Sequence, residues 1–366
     1  MTNTVTHTTD GDIAEALCDQ VREAHASRTP LRIVGGDTRA FYGRPVEGQA
    51  LNLAGHSGIV DYDPVELVVT VRAGTRLSAL DAELAKNHQM LAFEPPAFGE
   101  ASTIGGAVAT GLSGPRRPWA GAARDFVLGT RVITQEGKLL RFGGEVMKNV
   151  AGYDFSRLMA GAQGTLGVLA DISFKVLPLP SASHSLRLSM GIDDALKKLA
   201  ELGRQPLPIT AAAWHQDELF IRLEGGHSSV KATRERLGGD DLDASFWQQL
   251  RDHQHAFFTP NEGQVLWRLS LPPNTPPLAL GTDDADMFYD WGGSQRWVKT
   301  SLDADTLRDA CHTAGGHATC YTPYAQGGTQ SPFTPLPSVV EKYHRNLKAE
   351  LDAHGIFNPG RLYAAF

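Results

Sequence analysis

The sequence predicts an α+β protein of two domains, with the boundary near the middle of the chain. Its 366 residues exceed the length at which a single hydrophobic core usually stops growing. Helix and strand patterns are mixed in the first half, whereas they alternate in the second half. Pro178 and Pro180, followed by a serine-containing cluster, interrupt regular structure, so we expect the boundary there.

Apolar spacing predicts the elements of the first half in chain order. Residues 12–26 carry apolar side chains every three or four positions, which indicates a short amphipathic helix that ends before Pro30. A strand at 31–34 follows and leads into a glycine pair. Further strands are predicted at 58–61, 67–74, 127–134, 138–142 and 168–177, with helices at 77–87 and from Phe155.

In the second half, strands and helices alternate as they do in α/β domains. Segments 272–277 and 327–337 are rich in proline and small polar residues, so we expect loops there. A closing helix is predicted at 338–353, with an apolar face that includes Val339 and Tyr343. The other predicted elements are strands at 185–190, 219–223, 265–271 and 287–289 and helices at 192–202 and 228–237.

Composition excludes several classes of function. The chain has 41 acidic and 34 basic residues and no block of five like charges, which argues against a nucleic-acid surface or a polybasic membrane surface. The first ten residues lack the pattern of a signal peptide, and no apolar run approaches about 18 residues, so we expect a cytoplasmic protein. Cys18, Cys311 and Cys320 form no Cys-x-x-Cys pair, so this chain alone supports neither a disulfide framework nor an iron–sulfur cluster.

Three glycine-rich segments are candidates for holding a phosphate group. They lie at 35–40, 102–111 and 164–168. A pyrophosphate is held most directly by a turn whose backbone N–H groups point inward, and glycine permits both that conformation and the close approach of the ligand. Each segment taken alone is equally compatible with a turn that has only a packing role. The turn at 164–168 enters a strand, where a nucleotide could approach bare backbone.

These segments, with three further stretches, resemble one family of flavoproteins. Residues 148–154 followed by 164–168 are similar to the branch that oxidises 2-hydroxy acids. Residues 290–297 and the terminal stretch 357–363 are similar to one subunit family among these flavoproteins. The chain resembles the vanillyl-alcohol oxidase and p-cresol methylhydroxylase (PCMH) superfamily and, within it, the FAD-binding E subunits of glycolate oxidase, the GlcE family.

The resemblance implies an α+β fold with a particular domain order. A PCMH-type FAD-binding domain of two subdomains is expected at 1–180, followed by an α/β cap domain at 181–335. A C-terminal helix and tail at 336–366 are expected to return to the FAD-binding domain.

The resemblance also implies the cofactor and its contacts. Flavin-tethering relatives carry a histidine in or near the first glycine loop or a cysteine near the second. Here no cysteine lies between Cys18 and Cys311, so we expect non-covalent FAD. The residues expected to bind FAD are Gly35, Gly36, Asp37, Thr38, Arg39, Ala40, Pro96, Ser102, Thr103, Gly105, Gly106, Thr110, Gly164, Thr165, Gly167 and Val168.

As a function, the resemblance implies one subunit of a complex with a D-type FAD subunit and an iron–sulfur subunit. That complex would oxidise glycolate to glyoxylate and pass electrons toward quinone, meeting the inner face of the membrane only through its partners. The metal-binding segment of D-type relatives is absent here. Glycolate could therefore be oxidised at the flavin of this subunit or at that of the D-type subunit. The alternatives are an assembly subunit with a vestigial flavin site and a free-standing hydroxy-acid or alditol oxidase.

Segment 291–297 provides the candidate catalytic residue, Arg296. A guanidinium beside close-approach glycines can bind a carboxylate or stabilise a reduced flavin. The alternative is a packed strand whose tryptophans lie in the core. We expect no metal site, since the spacing of Cys311, His317 and Cys320 does not match a zinc motif.

Overall fold

The computed structural model describes residues 11–144, 154–259, 261–322 and 331–366. The strands are β1 (Leu31–Val34), β2 (Gln49–Asn52), β3 (Ile59–Asp63), β4 (Val68–Arg72), β5 (Gln89–Met90), β6 (Val127–Ile133), β7 (Leu139–Gly143), β8 (Val168–Lys175), β9 (Leu177–Pro178), β10 (Ala182–Ser189), β11 (Ile209–His215), β12 (Glu218–Gly225), β13 (Asp240–Asp241), β14 (Val265–Ser270), β15 (Met287–Asp290), β16 (Gln295–Thr300) and β17 (His317–Cys320). The helices are α1 (Ala14–Ser27), α2 (Leu77–Lys86), α3 (Ile104–Thr110), α4 (Arg117–Ala120), α5 (Ala123–Phe126), α6 (Phe155–Met159), α7 (Ile192–Leu202), α8 (His227–Leu237), α9 (Ser245–Arg251), α10 (Ala304–Thr313) and α11 (Ser338–Leu351).

The chain forms two compact units. The first comprises Met1–Leu112, Gly121–Leu179 and Pro335–Phe366, and the second comprises Ser113–Ala120 and Pro180–Thr334. The sequence predicts a continuous first domain, whereas the segment Ser113–Ala120 belongs to the second unit. Since it is held by contacts between residues far apart in sequence, apolar periodicity gives no sign of it.

Those contacts all lie within the second unit. The indole nitrogen of Trp291 donates to the carbonyl oxygen of Gly114 at 3.0 Å, and the guanidinium of Arg117 lies 4.4 Å from the ring centre of Trp291. Arg116 is paired with Glu224 at 2.5 Å, and both side chains are nearly buried. A charge-assisted hydrogen bond in such surroundings fixes the segment firmly.

A five-stranded antiparallel sheet forms the core of the first unit. Its strand order is β3-β4-β8-β6-β7, so β8 is a central strand and is buried over seven of its eight residues. The two buried polar residues of β8, Asp171 and Ser173, each have a hydrogen-bond partner, as burial requires. Phe174 on β8 packs near Phe93, with ring centres 6.0 Å apart.

A separate parallel pair, β1 with β2, carries the first glycine loop. β1 is also joined to the end of the chain, because the N–H of Leu31 donates to Ile356 and the N–H of Asn358 donates to Leu31. The C-terminal segment therefore belongs to the first unit, and it lies directly beside the strand that leads into the glycine loop.

The predicted packing of the C-terminal helix α11 was wrong in its first two turns. Val339 and Tyr343 are 64% and 67% exposed, whereas Lys348 is buried. The buried lysine is stable there because its ammonium group has three acceptors within the first unit, described below. Pairing of polar groups has determined which helix face is buried, and apolar spacing does not report such pairing.

An eight-stranded sheet forms the second unit, in the order β13-β10-β12-β11-β15-β16-β14-β17. One face packs in a core that includes Trp214, Trp267 and Val298. Because side chains alternate across a strand, Trp297 lies on the opposite face. There it meets an aromatic cluster with His253 and Phe258.

Three imidazoles in this cluster are held in surroundings that disfavour their charged form. The ring centre of His253 lies 4.1 Å from that of Phe258, on which it stacks, and 4.7 Å from that of Trp297. Residue 253 as a whole is partly exposed. Desolvation, with the positive charge of Arg268, lowers the pKa of His253 to about 3. Desolvation also lowers the pKa of His215 and of His255.

We expect the second unit to lose stability as the pH falls below about 6.5. The native pKa lies below the unfolded value, so the unfolded chain binds more protons between the two, and each such imidazole costs up to about 1.4 kcal/mol per pH unit. His253→Phe keeps a ring and removes one titrating group, so its free energy of unfolding should fall less steeply. Urea unfolding at pH 7 and pH 5 measures this. An equal change in the free energy of unfolding between the two pH values for variant and wild type would contradict it.

Candidate functional site

A cavity of about 380 Å³ lies within the first unit, where the loops after β1, around α3 and before β8 meet the C-terminal segment. Its volume is in the range of small-molecule and cofactor sites. It is lined by Arg32, Ile33, Val34, Gly35, Gly36, Asp37, Thr38, Arg39, Ala40, Pro45, Val46, Leu53, Ala73, Thr103, Gly105, Gly106, Ala109, Thr110, Gln163, Gly164, Gly167, Leu169, Asn358 and Arg361.

The first glycine loop presents a run of backbone donors to this cavity. Among the described residues, the N–H groups of Gly35, Gly36, Asp37 and Thr38 have no protein acceptor. Successive N–H groups without partners form a concave site for an anion, and buried N–H groups are otherwise almost always paired. The loop is therefore suited to a negatively charged group.

Close packing, not backbone conformation, requires the glycines of this loop. A Cβ on Gly36 would lie 1.6 Å from the carbonyl oxygen of Ala101, and one on Gly35 would lie 2.4 Å from Oγ1 of Thr103. Neither residue has a left-handed φ, whereas Asp37 does, at 55°. Gly36 is therefore needed for its contact with the neighbouring segment.

The second glycine-rich segment begins helix α3. Thr103 caps the helix by accepting from the N–H of Gly106 at 3.3 Å. The N–H groups of Ile104 and Gly105 donate to Thr75 and Ala73 at 2.9 and 2.7 Å. Because these donors are used within the protein, the open N–H groups of the cavity come from the first loop, and Gly105 and Gly106 of α3 line it.

Arg39 is held rigidly at the wall of the cavity. Its side chain is buried, Nη1 donates to Oγ of Ser102 at 2.6 Å, and Nη2 donates to the carbonyl oxygen of Pro96. The guanidinium also lies 5.5 Å from the ring centre of Phe98. Pro96 and Ser102, which were predicted as cofactor contacts, do not line the cavity and instead hold Arg39 in place.

The third segment turns tightly before β8. Gln163 has a φ of 50°, and its N–H donates to Ala109 at 2.7 Å. A Cβ on Gly164 would lie 2.8 Å from Nδ2 of Asn358, so the turn and the C-terminal segment are in direct contact. Thr165 and Val168 are buried behind the turn, where Thr165 accepts a hydrogen bond from Lys348.

The charges at the cavity favour an anion. Arg32, Arg39 and Arg361 line it together with one carboxylate, that of Asp37. The Arg32 guanidinium is paired with Asp37 at 3.0 Å. That pair is half-exposed and contributes little stability, but it leaves the two other arginines as a net positive charge on the cavity wall.

The structure therefore brings most of the predicted contacts together. Those lining the cavity are Gly35, Gly36, Asp37, Thr38, Arg39, Ala40, Thr103, Gly105, Gly106, Thr110, Gly164 and Gly167, while Pro96, Ser102, Thr165 and Val168 do not line it. Residues 148–153 of the motif that supported the family resemblance lie outside the described residues.

The C-terminal residues of the cavity were not among the predicted site residues. Asn358 and Arg361 lie in the terminal stretch whose resemblance to one family was already apparent, and that was the only signal for them. Their distance from the glycine loops in the sequence concealed their role.

Arg296 does not lie at this cavity. It belongs to the second unit and is fully buried. Nε donates to Gly293 at 3.1 Å, Nη1 to Pro276 at 2.8 Å and Nη2 to Thr275. Burial lowers the pKa of its guanidinium, and the three carbonyl oxygens satisfy it. This geometry favours the alternative of a packed strand over the predicted catalytic role.

The candidate zinc residues also lie in the second unit. Cys311 and Cys320 are buried in its core, where desolvation raises the pKa of their thiols to about 11 and about 12. No group of three or more metal-binding side chains occurs within the part of the chain that the structure describes. In that same part, no helix is long and apolar enough to cross a membrane.

Comparison with known proteins decides the family. Residues 12–143 match the family model for an FAD binding domain. Glycolate oxidase subunit GlcE of Escherichia coli (strain K12) is 51% identical over 354 residues, which cover 96% of this chain and 98% of that protein. The chain belongs to the GlcE family. Glycolate oxidase subunit GlcD of Bacillus subtilis (strain 168) is 32% identical over 53% of this chain and 42% of its own length.

Solved structures confirm the predicted fold class. The structure of p-cresol methylhydroxylase with substrate bound superimposes with a TM-score of 0.71 at 16% identity, covering 98% of this chain and 88% of that one. Alkyldihydroxyacetonephosphate synthase gives a TM-score of 0.64 over 94% of this chain and 75% of its own. At such low identity, these likenesses show the fold alone.

We expect Asp352→Asn to destabilise the first unit by about 3–5 kcal/mol, because it leaves the buried ammonium of Lys348 without its counter-charge. The two groups are 2.6 Å apart and both are nearly inaccessible. Glu341→Gln is the control. It removes an ion pair with the same sequence separation of four, Glu341 with Arg345, whose side chains are 39% and 48% exposed. That control should cost about 0.5 kcal/mol or less. Urea unfolding compares them, and equal losses would contradict the expectation.

Proposed function

We propose that this chain is the FAD-binding subunit of a glycolate oxidase and that the cavity of its first unit holds FAD. The observation that carries the proposal is the run of four backbone N–H groups without a protein acceptor, at Gly35 to Thr38. Such a run is costly to leave unpaired, and a pyrophosphate supplies acceptors to all of it.

The chemistry of the cavity fits the cofactor. The open N–H groups would bind the pyrophosphate. The positive charges of Arg39 and Arg361, whose N–H groups are bonded within the protein, would attract it electrostatically. When bound, FAD supplies the two-electron acceptor for oxidation of a CH–OH group. The protein contributes position and charge.

The lining residues also support non-covalent binding. Among the described residues that line the cavity, none is a histidine or a cysteine, and such a nucleophile is what a covalent flavin link requires. The proposed cofactor is therefore dissociable FAD.

The proposed complex contains a D-type FAD subunit and an iron–sulfur subunit, works in the cytoplasm and meets the membrane only through its partners. Membership of a family named as one subunit of glycolate oxidase supports a partner. An assembly subunit with a vestigial flavin site would have no need for four open N–H groups. A free-standing hydroxy-acid or alditol oxidase would need its own base.

We expect Gly36→Val to reduce FAD content by about tenfold or more, a loss of at least about 1.4 kcal/mol in binding. Any side chain there overlaps the carbonyl oxygen of Ala101, so the loop and its N–H groups must move. FAD is measured in the supernatant after acid precipitation, which releases a non-covalent flavin.

Gly191→Val is the matched control for that variant. Gly191 has an extended backbone, with φ −66° and ψ 162°, and a Cβ there comes no closer than 3.8 Å to Asp217. It should keep full FAD content. Full content in Gly36→Val would contradict the proposed site, and flavin remaining on the precipitated wild-type chain would contradict non-covalent binding.

We expect glycolate to reduce the flavin of the isolated chain slowly or not at all. The titratable residues on the cavity wall are three arginines and Asp37, whose carboxylate is paired with Arg32, so the described lining residues offer no unpaired general base. Anaerobic mixing with glycolate, followed by flavin absorbance, measures the rate. Addition of the D-type partner is expected to restore turnover. Rapid bleaching without a partner would place glycolate oxidation on this subunit.

A further inference from the structure

We infer that Arg361, at the C-terminal end of the chain, is a positioning residue for the cofactor, and that it acts by fixing the turn at residues 39–44, which directly follows the open N–H groups of the first glycine loop. The inference rests on the proposed function, since the ligand concerned is FAD. Arg361 lines the same cavity, although 322 residues separate it from Arg39.

The guanidinium of Arg361 forms a clamp on the turn that continues the glycine loop. Nη2 donates to the carbonyl oxygens of Arg39 and Tyr42 at 3.0 and 2.7 Å. Nη1 donates to those of Ala40 and Arg44 at 3.1 and 2.6 Å. Four carbonyl oxygens of one turn therefore point toward a single cation.

The fifth donor ties this turn to the segment before β8. Nε of Arg361 donates to Oε1 of Gln163 at 3.1 Å. Gly43 makes the contact possible, because a Cβ there would lie 2.6 Å from Oε1 of Gln163 and 3.0 Å from Nε of Arg361. Asn358 strengthens the link by donating to the carbonyl oxygen of Gln163 at 2.7 Å and accepting from the N–H of Ile33 at 2.8 Å.

The clamp matters for an anion because of peptide geometry. In a planar trans peptide the C=O and N–H bonds point in opposite directions. Carbonyl oxygens drawn to Arg361 cannot turn toward the cavity, where they would repel a phosphate. The turn is thus fixed before the ligand arrives, and pre-organisation of this kind raises affinity by lowering the ordering cost of binding.

The test measures binding of FAD and of ADP to apo-protein, by fluorescence quenching and calorimetry. Arg361→Gln should raise the dissociation constant of both ligands about tenfold or more, since both carry the pyrophosphate. Arg361→Lys keeps the charge but has three donors in place of five, so it should give an intermediate value. Arg345→Gln is the control, because Arg345 donates to Ala365 and Glu341 from the exposed face of α11.

Hydrogen exchange and urea unfolding of the same proteins separate positioning from general destabilisation. The amides of residues 40–44 should exchange faster in Arg361→Gln. The free energy of unfolding of this variant should fall by less than its free energy of FAD binding. Unchanged dissociation constants, or weaker binding of FAD with unchanged binding of ADP, would overturn the inference. If Arg361→Gln does not fold, a wild-type constant in Arg361→Lys would overturn it and an intermediate one would support it. Failure of the wild type to bind FAD would reject the proposed function instead.

Discussion

The buried ammonium group of Lys348 is the interaction on which the cavity depends. It donates to the carboxylate of Asp352 at 2.6 Å and to the carbonyl oxygens of Thr165 and Phe357 at 2.7 and 2.9 Å. The same carboxylate accepts from the N–H groups of Ile356 and Phe357. All three ammonium protons are thereby used, which is the condition under which a buried charge is tolerated. The C-terminal segment is fixed as a result, and it forms one wall of the cavity.

From that fixed segment, polar contacts extend to β1, to the turn after the first glycine loop and to the segment before β8. Asn358 completes the hydrogen bonding of β1, and Arg361 holds the turn that follows the glycine loop. The anion site itself is made of backbone N–H groups, which do not titrate. Its strength therefore depends on the positions of peptide groups, and those positions depend on a segment more than 300 residues away in the sequence.

The second unit shows a different use of buried charge. Arg296 is enclosed and bonded to three carbonyl oxygens, and it lies 4.8 Å from the ring centre of Tyr289. Such an arginine fixes the irregular loop at 275–276 against the sheet, which is a structural role. A guanidinium with this many partners would have to break them to bind a substrate, so strong pairing argues against the role that its surrounding motif suggested.

The sequence by itself determined the α+β class, most helices and strands, the glycine loops and the family, because these depend on local spacing and short motifs. It located helix α7 at residues 192–202 without error. Only the tertiary structure decided that Ser113–Ala120 joins the second unit, that Lys348 is buried while Val339 is exposed, and that Gly36 is needed for contact with Ala101. It alone showed Asn358 and Arg361 at the cavity. Each of these depends on which distant groups meet and pair, and a hydrogen bond or ion pair between distant residues leaves no periodic trace in the chain.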